Sequence, residues 1–106
     1  MDVVDRQVEA YNARDVDAFV ACYSEGVVVE DARGNVLMRG HDGLRAEYEP
    51  FFVEYPDLHA AVCHRVVIGE YVVDEEEITG WQADPVRAVA IYHVAGDRLD
   101  HVRLIG

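Results

Sequence analysis

The chain has 106 residues, a size that fits one domain with one hydrophobic core. It carries 21 acidic and 9 basic residues, and the formal net charge of -12 excludes nucleic acid and anionic membranes as natural partners. Every basic residue is an arginine, so there is no lysine for a P-loop or a Schiff base. With two cysteines and no signal-peptide pattern at the start, we expect a cytoplasmic protein that uses no cofactor.

Helical spacing dominates the beginning of the chain. Apolar residues three and four apart predict an amphipathic helix over about residues 2–12. Asp15 is a good N-cap for a second helix, which we expect to end at Ser24-Glu25-Gly26.

A short hairpin and a third helix follow. The β-branched run that starts at Val27 predicts a strand to Asp31, and residues 36–39 are predicted to return beside it. A third helix begins after Gly40 and ends before Pro56. Pro50 lies inside this helix, where its missing N–H predicts a kink or a restart.

The second half of the chain has the alternating pattern of strands. Four candidates are separated by Gly-rich or Asp-rich turns: 58–68, 71–79, 86–94 and 99–105. Helices first and antiparallel strands afterwards predict an α+β fold with the helices on one face of the sheet. Because long strands coil, we expect a curved sheet with a cavity on its concave side.

Asp31 is the first candidate for chemistry. Alternation places it on the same side of its strand as Val27 and Val29. In an apolar wall, desolvation would raise the pKa of this carboxylate and make it a base near neutral pH. The alternative is that Asp31 begins the turn before Gly34, as aspartate often does.

Tyrosines are the next candidates. Tyr23 and Tyr48 lie on the apolar stripes of the second and third helices, and Tyr92 shares a strand face with small alanines that would leave room for a ligand. Each of them could equally be a core residue. Trp81, beside a turn, could cover a pocket or lie in an interface.

The histidines and the acidic run predict no metal site. His59 and His64 are an odd number of residues apart and are predicted to point to opposite faces of one strand. His93 and His101 are predicted to be neighbours across a hairpin, without a zinc-binding motif. The run Asp74-Glu75-Glu76-Glu77 is interpreted as a solvated strand segment or a charged edge strand.

The segment from Tyr23 to Asp31, with Gly34, Arg39-Gly40 and a helix that bears Tyr48, resembles the ketosteroid isomerases. More broadly, it is similar to the SnoaL-like and nuclear transport factor 2-like superfamily. The resemblance implies a cone-like, cystatin-like fold in which three N-terminal helices pack on a strongly curved mixed or antiparallel sheet around a pocket. It also implies a single domain over residues 1–106 that forms a homodimer.

The same resemblance implies roles for individual residues. Asp31 falls at the position of the catalytic aspartate base, and Tyr23 and Tyr48 fall at pocket tyrosines of the isomerases. Gln7 stands at the position of the essential oxyanion-hole tyrosine, and Tyr92 at that of the protonated aspartic acid. Gln7 and Tyr92 both carry hydrogen-bond donors, so a rearranged oxyanion hole is predicted.

These residues lead to one leading hypothesis and two alternatives. The first is a cofactor-independent enzyme that moves a proton next to the carbonyl of a hydrophobic, steroid-like or polyketide-like compound. Asp31, Tyr92 and Gln7 would be catalytic, and the binding candidates are Tyr23, Tyr48, Phe52 and Trp81. The alternatives are a module that only binds a hydrophobic ligand, and a dimerisation domain whose own bulky side chains fill the cone.

Overall fold

The computed structural model describes residues 2–106. Three helices lie against one face of a six-stranded sheet: α1 (Val3–Asn12), α2 (Val16–Ala21) and α3 (Gly40–Glu54). The strands are β1 (Tyr23–Asp31), β2 (Val36–Arg39), β3 (His59–Ile68), β4 (Tyr71–Thr79), β5 (Val86–Ala95) and β6 (Arg98–Ile105). This confirms the predicted α+β fold with helices packed on a curved sheet.

The first two helices begin where the sequence predicts. The side chains of Asp2 and Asp15 accept hydrogen bonds from the backbone N–H groups of Asp5 and Ala18, which caps each helix. The predicted end of α2 at Ser24-Glu25-Gly26 is wrong. These residues belong to β1, which already pairs with β6 at Tyr23. The predicted position of Tyr23 on the second helix is therefore wrong as well.

Pro50 does not interrupt α3. The helix continues through it to Glu54, so the predicted restart is wrong. The missing N–H of Pro50 leaves the carbonyl of Ala46 without its helical partner. Both residues are exposed, so water can bond to that carbonyl at little cost.

The sheet has the strand order β2-β1-β6-β5-β4-β3. All neighbours are antiparallel except β1 and β6, which run parallel, so the sheet is mixed. A bulge in β3 between Val62 and His64 changes the alternation of that strand. His59 and His64 therefore pair with Thr79 and Glu75, which share one face of β4, and the prediction of opposite faces is wrong.

Register defines the two faces of the sheet. Val72, Asp74, Glu76 and Ile78 of β4 alternate onto the concave face, under the helices. The residues between them, including Glu75, lie on the convex face. Because β4 lies between β3 and β5, the predicted charged edge strand is wrong.

The core lies between the helices and the concave face. Its most deeply buried large side chains are Phe19, Leu44, Leu58 and Leu99, each at most 1% exposed. Phe19 also packs edge-on against Phe52 with 5.7 Å between the ring centroids. Within residues 2–106, no helix is both long and apolar enough to cross a membrane.

Candidate functional site

A cavity of about 380 Å³ opens between the helices and the concave face of the sheet. Most of its wall is aromatic and aliphatic, and no arginine or histidine among residues 2–106 lines it. Its mouth lies near Leu37 and Gly106, both exposed, and its inner wall includes Tyr23 and Tyr92, both 4% exposed. The interpretation of a cone filled by its own side chains is therefore wrong.

Three predicted residues form a buried chain of hydrogen bonds on the inner wall. The Tyr23 hydroxyl donates to Oε1 of Gln7 over 2.9 Å, and Nε2 of Gln7 donates to the Tyr92 hydroxyl over 2.9 Å. This brings together Gln7 from α1, Tyr23 from β1 and Tyr92 from β5. Burial raises the pKa of both phenols well above the usual value of 10, so they remain neutral donors.

The chain of hydrogen bonds ends at a carboxylate that the sequence interpretation missed. The Tyr92 hydroxyl donates to Oε1 of Glu76 over 3.4 Å, and Glu76 is only 8% exposed. Burial is the main cause that raises the pKa of Glu76 to about 7, and the nearby Asp74 adds to it. The cavity therefore contains a carboxyl group that can gain or lose a proton near neutral pH.

Glu76 could have been found from strand alternation. Val72 lies four positions before Glu76 and Ile78 lies two positions after it, so Glu76 shares a face with apolar residues. The alternation is easy to miss because residues 74–77 are four consecutive acidic residues, a composition that is typical of a solvated segment. Asp74 and Glu76 are buried while Glu75 is not, so the interpretation of the whole run as solvated is wrong.

An arginine between two carboxylates lies beside Glu76. Nε and Nη2 of Arg65 donate to the two carboxylate oxygens of Asp74 over 2.7 and 2.9 Å. Nη1 of the same arginine donates to Asp5 on α1. Asp74 is fully buried, and its paired contact with Arg65 satisfies both of its oxygens.

Asp31 lines the mouth of the cavity but is held by the turn between β1 and β2. Its Oδ1 accepts hydrogen bonds from the backbone N–H groups of Arg33 and Asn35, each over 2.9 Å. Its Oδ2 accepts one from the Asn35 side chain over 3.0 Å. These bonds lower the pKa of Asp31, so the predicted rise by desolvation is wrong. Asp31 takes the position that the turn alternative predicts.

The remaining binding candidates divide into two groups. Tyr48 and Trp81 line the cavity, and burial raises the pKa of Tyr48 to about 12. Phe52 does not line it and is buried in the core, whereas its neighbour Phe51 lines the wall and packs edge-on against Trp81 at 5.6 Å. Adjacent helical residues point about 100° apart, which explains why one phenylalanine faces the cavity and the other the core.

Gly80 explains how Trp81 reaches the cavity. Its φ of +76° favours glycine, and a Cβ atom there would lie 2.1 Å from the backbone oxygen of Asp57. The end of β4 can therefore approach the segment after α3 closely. This approach places Trp81 against α3 at the cavity wall.

His93 and His101 contact carboxylates outside the cavity. His93 and His101 face each other across β5 and β6, as predicted. His93 contacts Asp100 over 2.6 Å, and His101 contacts Glu30 over 2.8 Å. In the part of the chain that the structure describes, no three His, Cys, Asp or Glu side chains are grouped to hold a metal ion.

Comparisons with known proteins agree with this architecture. The family model of the SnoaL-like domain matches residues 4–102. An uncharacterised cystatin-fold protein from Novosphingobium aromaticivorans has 28% identity and a TM-score of 0.91, with 100% of this chain and 99% of that chain covered. A search of curated proteins gave no match.

Two further solved structures are similar at lower identity. A candidate polyketide cyclase from Sinorhizobium meliloti has 17% identity and a TM-score of 0.83, with 96% of this chain and 92% of that chain covered. A candidate ketosteroid isomerase from Kribbella flavida has 20% identity and a TM-score of 0.77, with 97% and 73% covered. At these identities the similarity to the two structures shows the fold alone. The match to the family model shows to which family the chain belongs. The chain belongs to the SnoaL-like domain family, within the nuclear transport factor 2-like superfamily.

Proposed function

We propose that this protein is a cofactor-independent enzyme that moves a proton next to the carbonyl group of a hydrophobic compound. The observation that carries the proposal is a largely apolar cavity whose inner wall presents Tyr92 and Gln7 as hydrogen-bond donors. A cavity of about 380 Å³ has room for a small polycyclic or polyketide-like molecule. The likeness to a candidate polyketide cyclase and a candidate ketosteroid isomerase supports this class of substrate.

The two ends of the cavity suggest how such a substrate is oriented. Its apolar body packs against Tyr48, Phe51 and Trp81, and its carbonyl oxygen points to the inner wall. Tyr92 and Gln7 then hold the oxygen while negative charge develops on it. Losing one good donor of this kind typically costs ~3 kcal/mol of transition-state stabilisation.

Asp31 is the proposed base. It lies in the cavity wall near the mouth, and its lowered pKa keeps it ionised at neutral pH. The base removes a proton from the carbon next to the carbonyl and returns it to another carbon of the conjugated system. A carboxylate with a lowered pKa is a weaker base, so the substrate must carry a C–H bond that is already acidic.

The test is the change in ultraviolet absorbance as a β,γ-unsaturated ketosteroid becomes conjugated, with the wild-type protein beside Asp31→Asn. We expect turnover that falls by two to four orders of magnitude in the variant, as the loss of a general base does. Asp84→Asn, an exposed loop residue outside the cavity wall, is the matched control and should turn over like the wild type. Equal turnover by wild type and Asp31→Asn would contradict the proposed role of Asp31.

A second candidate function is favoured by the hydrogen bonds of Asp31. Three bonds from Arg33 and Asn35 occupy its carboxylate, as in a residue whose role is to hold a turn. The protein would then bind a hydrophobic ligand without converting it. Saturable quenching of Trp81 fluorescence by the same ketosteroid, with no change in its absorbance, would support this candidate over the enzyme.

We also propose that two copies pair through the convex face of the sheet. Val66, Ile68 and Tyr71 are all at least 51% exposed at the end of β3 and the start of β4. Apolar residues grouped on a solvent-exposed sheet face are typical of protein interfaces. Analytical ultracentrifugation should give twice the mass of one chain, and a single-chain mass at micromolar concentration would contradict the pairing.

The cytoplasmic location stays a prediction.

A further inference from the structure

We propose that Glu76 is a catalytic residue of the cavity, and that in its neutral form it donates a hydrogen bond or a proton to the substrate oxygen that gains charge. This inference rests on the proposed function, because it assigns a role at the same site. No position in the resemblance to ketosteroid isomerases corresponds to Glu76, which lies on β4. The role therefore depends on the contacts of this chain alone.

Glu76 lies beside the Tyr92 hydroxyl, within reach of the place where the oxygen of a bound carbonyl would lie. Its side chain lines the cavity, and its Oε1 is 3.4 Å from the Tyr92 hydroxyl, which itself accepts a hydrogen bond from Gln7. A separation of 3.4 Å is longer than the 2.7–2.8 Å typical of O–H···O bonds, so this contact is weak. An incoming oxygen can replace it at little cost and receive donors from Tyr92 and Glu76 together.

The charged groups around Glu76 keep it from ionising easily. On its own strand lies Asp74, and Arg65 faces it from β3, with Asp5 on the far side of that arginine. Arg65 directs its donors to the two aspartates, so this three-residue cluster has a net charge of one negative unit beside Glu76. A like charge nearby disfavours the ionised form of a buried carboxyl group.

The other titratable groups that face Glu76 are phenols. Tyr92 faces it from β5, Tyr23 from β1, Tyr11 from α1 and Tyr48 from α3. Burial raises the pKa of all four, so none of them titrates near neutral pH. Arg65 is the basic side chain that acts on Glu76. Because the phenols stay neutral, Glu76 is the group on the inner wall that can exchange a proton near neutral pH.

Asp31 and Glu76 would then divide the acid–base work. Local hydrogen bonds keep Asp31 ionised, so it accepts a proton, whereas burial raises the pKa of Glu76 to about 7, so its protonated form is present near neutral pH and can donate one. Pairs of carboxyl groups whose environments push their pKa values apart are a common basis for such assignments. Both side chains line the same cavity, one near its mouth and one on its inner wall.

The reaction balances without an oxidant or a cofactor. Asp31 takes the proton from the carbon beside the carbonyl, the C–H electrons form a carbon–carbon double bond, and the carbonyl π electrons move to oxygen. Glu76 either holds that oxygen by a hydrogen bond and keeps its own proton, or transfers the proton to the oxygen and becomes the carboxylate. When the electrons return, Glu76 recovers any proton that it transferred and Asp31 releases its own to a different carbon.

The test uses a nitrophenolate that is ionised at every pH measured, as a stand-in for the charged oxygen, and follows its binding by absorbance. Between pH 6 and pH 8 the neutral fraction of Glu76 falls about tenfold, so wild-type affinity should fall by a similar factor. Glu76→Gln keeps a neutral donor at the same place and should bind equally at both pH values. Glu77→Gln, one residue further on and outside the cavity wall, should behave like the wild type.

Two outcomes would overturn the inference: a wild-type affinity that changes less than twofold over this range, or a pH dependence that survives in Glu76→Gln. If the glutamine variant does not fold, carbon-13 NMR titration of the Glu76 carboxyl in the wild type replaces it, and bound phenolate should raise its pKa. No rise would contradict the role. Absence of ketosteroid turnover with an intact pH dependence of phenolate binding would contradict the proposed function and leave the Glu76 donor role supported.

Discussion

Two neighbouring glutamates on β4 have opposite environments. Glu75 lies on the convex face, where Arg87 donates to it over 2.6 Å and His64 contacts it at 2.9 Å, and these partners lower its pKa. Glu76 lies on the concave face, is 8% exposed and has its pKa raised to about 7. One peptide bond separates them, so the side of the sheet decides what each carboxyl group can do.

A second carboxylate on the convex face has the same kind of environment as Glu75. On the convex face Glu30 is paired with Arg103 and His101, so the carboxylates there are neutralised in solvent. On the concave face Arg65 is the nearest basic side chain to Glu76, and its donors already serve two aspartates. The convex acids are therefore paired with basic side chains in contact with solvent, whereas Glu76 on the concave face has the buried environment on which the proposed proton transfer depends.

The largest expected effect comes from breaking the buried cluster on the concave side. Asp74→Ala leaves Arg65 with Asp5 as its remaining partner and removes two hydrogen bonds from a fully buried site. Loss of one partner of a buried ion pair typically costs 3–5 kcal/mol, and because Arg65 is partly exposed we expect about 3 kcal/mol. Urea unfolding at pH 7 measures this loss.

Glu77→Ala is the matched control, because it removes a carboxylate two strand positions from Glu75 on the same convex face. Its contact with Arg87 is long, at 3.9 Å, so the free energy of unfolding should change much less than in Asp74→Ala. Equal losses of unfolding free energy in the two variants would show that the buried cluster stabilises the fold no more than an exposed carboxylate does.

Much of the fold could be predicted from the sequence because the signals are local. Asp15 caps a helix through its own side chain, and β4 has the predicted bounds, residues 71–79, because turn residues lie on both sides of it. The end of α2 was not predictable in the same way. It depends on the pairing of Tyr23 with Leu99, a contact between residues 76 positions apart.

The candidate site was predictable only in part, for a related reason. Tyr23 and Tyr92 were identified from periodicity and the resemblance, and Gln7 from the resemblance alone, and the structure joins the three by hydrogen bonds. Alternation places Glu76 on the same face of β4 as Val72 and Ile78, but the burial of that face depends on which strands lie on either side of β4, and a single acidic run does not reveal strand order. The pKa of Asp31 depends on donors from Asn35, whose direction follows from the shape of one turn.

A smaller effect should separate Glu76 from Glu75 by the sign of a pH dependence. Because the pKa of Glu76 is higher in the folded protein, about 7 against 4.5, folding stability falls as pH rises from 4.5 through 7. Glu76→Gln removes this penalty, so the stability of the variant relative to the wild type should rise by about 2–3 kcal/mol between pH 5 and pH 8. Urea unfolding at the two pH values measures the difference.

Glu75→Gln should change stability in the opposite direction. The pKa of Glu75 is lowered in the folded protein, so its carboxylate adds stability above pH 4.5, and this contribution is lost as pH falls through the folded pKa. The variant should therefore be slightly less stable than the wild type at pH 8, and added salt should shrink the deficit because the partners are exposed. If both glutamine variants changed stability with the same sign at pH 8, the two faces of the sheet would not differ as the structure indicates.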